Sequence, residues 1–149
     1  MTWISCESAD EVRQARAGIL QVKADLNELR CHDPSAADAL DPKVQEWIPQ
    51  REEGIADDEK CLAQKGCMAK RIAQRLADEL CPAIERRDEV TAEITRIRRY
   101  GREVGVVNAK DLYDLGEELK MLDEQIGAGK AHYVSITKKA FTRAACTAP

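Results

Sequence analysis

Between residues 61 and 104, apolar side chains recur in steps of three and four. Leu76, Leu80, Ala83, Val90, Ile94, Ile97 and Val104 keep a heptad register once the slots at Arg87 and Gly101 are counted. A stripe two residues in seven wide cannot be buried within one helix, so it needs an apolar stripe on a second helix or on another copy of the chain. Two further stripes meet that need. Val12, Ala15, Ile19, Val22, Leu26 and Leu29 follow a capping box at Ser8 and Glu11. Leu112, Leu115, Leu119, Leu122 and Ile126 follow a cap signal at Asn108 and Asp111, with Val107 and Leu112 spaced as a hydrophobic staple.

Leu, Ile, Val and Phe make up close to one residue in five, near the level at which a chain stays disordered. Because these residues fall at helical spacing instead of being scattered, slender helices with narrow seams are expected. The fold class is all-α: a helical hairpin or small helical bundle with coiled-coil-like heptad seams. A single domain over residues 1–149 is expected, with a helix at 8–31 and an irregular stretch at 33–54. Pro34, Pro42 and Pro49 punctuate that stretch, and it holds a short helix at 42–48. A long charged helix follows at 55–80 and 82–104, broken at Pro82, which lacks an amide and crowds the carbonyl of Asp78. Helices at 108–127 and 130–145 complete the chain, the first stopped by Gly127 and Gly129. Trp3 and Ile4 are expected to cap one end of a core, and Tyr133, Ile136, Ala140 and Phe141 to face inward.

Net charge of −4 and a pI near 5.3 weigh against general nucleic-acid binding, which needs a positive contact face. No apolar run approaches the roughly 20 residues that span a bilayer, and the N-terminus lacks a basic segment leading into an apolar one. A cytoplasmic protein with no membrane association is expected. The six cysteines then read as reduced thiols, since Cys61, Cys67 and Cys81 fall within charged helical sequence.

No motif supports catalysis, a cofactor or a resident metal. Cys61 and Cys67 lack the second close pair of a zinc site. Cys31 and His32 are adjacent on a helix end, where side chains diverge, and His132 is the only other histidine. Asp57 with Asp58, and Glu117 with Glu118, read as solvated carboxylates. The glycines at 127 and 129 follow a helix and lack phosphate-loop spacing.

Function therefore rests on surfaces. The partner-facing candidates are Trp47; the acids Glu52, Glu53, Asp57, Asp58 and Glu59; and the cluster Arg96, Arg98, Arg99, Tyr100 and Arg102, in which four guanidinium groups surround a stacking ring. A protein–protein interaction module is expected, acting as a scaffold, an adaptor or an inhibitor that occupies a partner's functional surface, and forming a homodimer. One alternative is a nucleic-acid-binding regulator using Arg96 to Arg102 and the basic C-terminal tail. The lower alternative is a metal or thiol enzyme using Cys31, His32, Cys61 and Cys67.

Overall fold

The computed structural model describes residues 5–147. Trp3 and Ile4 lie outside the described residues. Within those residues the chain is all-α and forms no strand: α1 (Ala9–His32), α2 (Pro34–Ala63), α3 (Cys67–Val104), α4 (Ala109–Thr137) and the short α5 (Ala144–Thr147). It divides into two compact units between residues 68 and 69.

The first unit is an antiparallel hairpin of α1 and α2. Ser8 caps α1 by accepting a hydrogen bond from the amide of Glu11 at 3.2 Å, as the capping box requires. The expected stripe faces inward, with Val12, Ile19 and Leu26 buried and Ala15, Val22 and Leu29 half-buried. One residue makes the turn. Asp33 closes α1 through its N–H, donated to the Leu29 carbonyl at 2.7 Å, and opens α2 through Oδ1, which accepts from the Ala36 amide at 3.2 Å. Ala37, fully buried just past the turn, has a side chain small enough for the two helices to start this close. The core gathers Cys6, Val12, Ile19, Ile48 and Ile55, with Ala15, Val44, Trp47 and Leu62 packed against it.

α2 corrects the expected irregular stretch at 33–54, because it is helical throughout despite Pro42 and Pro49. Two turns separate these prolines, and both are exposed. The carbonyls they displace, those of Asp38 and Gln45, belong to exposed residues, where solvent can reach them. The same logic corrects the expected break at Pro82. It sits on the exposed side of an unbroken α3, and Asp78 beside it is exposed. The real interruption lies earlier, inside the helix expected at 55–80: α2 ends at Ala63, and Gly66, at φ +80°, turns the chain into α3.

The second unit pairs α3 with α4, again antiparallel. On α3 the expected seam holds: Leu76, Leu80, Ala83, Val90, Ile94 and Gly101 are buried and Ile97 is half-buried, whereas Val104 is exposed at the end of the helix. Gly105, at φ +76°, donates its N–H to the Gly101 carbonyl at 2.8 Å and ends the helix. Asn108 Oδ1 then caps α4 through the Asp111 amide at 3.1 Å. Arg86 holds the pair together from outside, donating through Nε to Glu118 at 2.7 Å. Along α4 the stripe is only half-buried at Leu112, Leu115, Leu119 and Leu122, and fully buried at Ile126.

α4 does not stop at Gly127 and Gly129 but continues to Thr137. A Cβ at Gly129 would lie 2.6 Å from Leu80 Cδ2; this glycine is where the two helices touch, and that packing outweighs its poor helix propensity. The helix expected at 130–145 is also replaced. Lys138 adopts the left-handed conformation at φ 61°, and the chain returns along the hairpin. Phe141 is buried with Ala77, Leu80, Ala83, Ile84 and Ile126, edge-on to Tyr133 at 5.1 Å between ring centroids. Ile136 is half-buried and Ala140 exposed.

Two disulfides correct the reduced-thiol expectation. Cys61 bonds Cys67 across the Gly66 turn, and Cys81 bonds Cys146, 65 residues away in sequence. The first pair was hidden because both cysteines read as one helix. The second depends on the returning tail, which no local pattern reveals. Cys6 and Cys31 remain free.

Candidate interaction surface

At the turn of the second hairpin, the end of α3 and the start of α4 enclose an open groove of about 600 Å³, lined by Thr95, Arg98, Gly101, Arg102, Val107 and Leu112. Gly101 exists at this seam position for a steric reason: a Cβ there would clash with Val107 Cγ2. The glycine lets the turn fold back over α3. Around the groove, Tyr100, Val104, Val106, Val107 and Tyr113 are exposed, Val106 and Tyr113 by about two thirds. Apolar side chains at this density on a turn are unusual for a surface that faces only water.

The arginine cluster divides in two. Arg96 is engaged by Glu93 on its own helix, which holds the Glu93 carboxyl below its ordinary value, chiefly through that hydrogen bond. Arg98, Arg99 and Arg102 are exposed and form no ion pair among the described residues. Arg98 and Arg102, one turn apart, both border the groove. Tyr100 is more than half exposed beside them.

Two bases of the tail are engaged internally instead. Arg143 pairs with Asp88 at 2.8 Å, and Lys138 Nζ donates to the Ser135 carbonyl at 2.9 Å.

The acidic segment also divides. Asp58, expected on a solvated face, is buried, and its Oδ2 accepts from the Cys6 amide at 2.8 Å. Burial, with Asp58 close by, pushes the Cys6 thiol up, so this free cysteine is protonated and a poor nucleophile. Glu59 pairs with Arg16. Glu52, Glu53 and Asp57 remain exposed and form no ion pair among the described residues. Trp47 is half-buried against the first unit's core, the position of a lid. Periodicity placed Trp47 near an apolar face but could not distinguish a lid from an exposed anchor.

Cys31 and His32 are both exposed at the end of α1. The bond between Cys61 and Cys67 occupies two of the three sulfurs that the thiol or metal alternative would use, and Cys31 keeps a free thiol. Among the described residues, no group of three or more His, Cys, Asp or Glu side chains is placed to hold a metal ion, and no helix is long and apolar enough to cross a membrane. The apolar side of the groove was missed from sequence. Its signal was present in Val104, Val106 and Val107 set around Gly105, directly after the arginines. No protein-family model matches the chain, and neither a curated protein nor a solved structure matches it.

Proposed function

We propose that this protein is a non-enzymatic protein–protein interaction module whose docking surface is the turn of the α3–α4 hairpin, and that it self-associates. The observation that carries this reading is the set of three guanidinium groups, Arg98, Arg99 and Arg102, without ion pairs among the described residues and beside exposed Tyr100, Val106 and Tyr113. Arg and Tyr next to an apolar patch make the composition of binding hot spots, and they gain most when a partner removes water from both. The hydrogen bonds that end α3 at Gly105 and cap α4 at Asn108 fix the turn that presents this surface, which lowers its ordering cost on binding.

A scaffold, an adaptor and an inhibitor would all use such a surface. Nucleic acid is the weaker reading, because Glu103, Asp111 and Asp114 lie close in sequence to the arginines and the chain as a whole is acidic. Two disulfides further support an oxidising compartment in place of the cytoplasmic one expected from sequence.

The test is a photo-crosslinking amino acid at Val106, introduced in the native host, with Ala24 on the outer side of α1 as the control position. A protein adduct specific to Val106, resistant to nuclease and lost in R98E/R102E, is expected. An adduct destroyed by nuclease, or one indifferent to the charge reversal, contradicts the reading.

A further inference from the structure

Two sets of exposed charged side chains that form no ion pair among the described residues are opposite in sign and equal in spacing. On α3, Arg98 and Arg102 stand four residues apart beside the groove. On α2, Glu53 and Asp57 stand four residues apart, both exposed. Four residues advance a helix by about 6 Å, so two carboxylates on one helix match two guanidinium groups on another without either helix bending. Small apolar groups accompany the acids: Pro49 and Ala56 are exposed on the same stretch of α2. They offer a low surface against which Tyr100 and Val106 can pack.

We infer that the occupant of the groove at the α3–α4 turn is the Glu53–Asp57 face of α2 from a second copy of this chain. The inference rests on the docking surface proposed above and names its partner. Carboxylate oxygens of Glu53 and Asp57 accept hydrogen bonds from the guanidinium groups of Arg98 and Arg102, in the forked geometry that arginine favours. The remaining ionic contacts sit at a wet rim, so binding is modest and sensitive to salt. A twofold dimer makes the contact twice and closes; a head-to-tail array makes it once per copy.

Sedimentation equilibrium across a protein concentration series tests this. The wild type is expected to exceed the 16.6 kDa of one chain as concentration rises, and to return toward it in high salt. R98E/R102E and E53R/D57R are each expected to raise the dissociation constant at least tenfold, and a chain carrying both reversals is expected to recover association. That recovery separates a matched charge pair from simple loss of fold. A wild type that stays monomeric at every concentration overturns the inference, as does association indifferent to E53R/D57R or a four-fold variant that does not recover. If the wild type is monomeric while Val106 still crosslinks to a different protein, the second-copy inference and the self-association fall and the docking surface stands; no adduct at Val106 at all overturns the docking surface as well.

Discussion

Gly129 on α4 sits directly against Leu80 on α3, so close that a Cβ at residue 129 would lie 2.6 Å from Leu80 Cδ2. Leu80 is buried in the core of its unit, so its retreat would displace packed neighbours. Gly129→Ala therefore sets a gain in helix propensity of up to about 1 kcal/mol against overpacking of about 1–3 kcal/mol, and a net loss is expected. Gly127 lies two residues earlier with nothing near its missing Cβ, so Gly127→Ala is expected to stabilise. Thermal denaturation should move the two variants in opposite directions. A stabilised Gly129→Ala would mean that the helices do not meet at this residue.

The same glycines show what the sequence could and could not convey. The seams on α1 and α3 were legible because burial follows their three-and-four spacing, from Val12 to Leu26 and from Leu76 to Ile94. Gly127 and Gly129 were misread as a stop because propensity is local, whereas their role depends on Leu80 in another helix. Pro42, Pro49 and Pro82 misled for a related reason: a proline is tolerated more easily inside a helix where the displaced carbonyl can reach water, and sequence alone does not say which side faces solvent. At the candidate site the arginines were legible and their freedom from ion pairs was not, since that depends on where Glu93, Glu103 and their neighbours fall.

Ile126 is the one fully buried member of the α4 stripe, whereas Leu119 is half-buried. Ile126→Asp is expected to unfold the second unit, at a cost of several kcal/mol for an unpaired buried charge. Leu119→Asp should cost distinctly less. Circular dichroism on heating, at low and high protein concentration, reads both effects. Equal effects at the two positions would contradict the burial pattern.

The two disulfides should differ in their contribution to stability. Closing 65 residues between Cys81 and Cys146, against six between Cys61 and Cys67, corresponds to about 4 and about 2 kcal/mol in the chain-entropy estimate. Cys146→Ser is thus expected to lower the melting temperature more than Cys61→Ser, and to release Phe141 from its contact with Tyr133. Near-ultraviolet circular dichroism should report that release. An unchanged aromatic signal in Cys146→Ser would show that the tail stays docked without its staple.

Acid should loosen the second hairpin through three carboxylates. Hydrogen bonds from Arg86, Arg143 and Arg96 hold Glu118, Asp88 and Glu93 below their ordinary values, with partial desolvation opposing each shift. A carboxyl whose folded value lies below its unfolded value contributes its full stability at neutral pH and loses it as pH falls through the folded value. The loss therefore sets in as pH falls through the ordinary carboxylate range and is complete only below the folded values, well away from neutrality. Arg86→Ala should flatten the acid side of the stability profile, and high salt should shrink the difference from wild type. Parallel profiles for the two proteins would contradict a role for the Arg86–Glu118 pair.

Amide hydrogen exchange compared between dilute and concentrated wild-type protein tests the central claim most directly, because it maps a docking surface without altering a residue. Slower exchange at high concentration, confined to the turn between Arg98 and Tyr113 and to α2 around Glu53 and Asp57, is the predicted result. Protection along the outer side of α4 instead, or no change at either of the two regions, would contradict it.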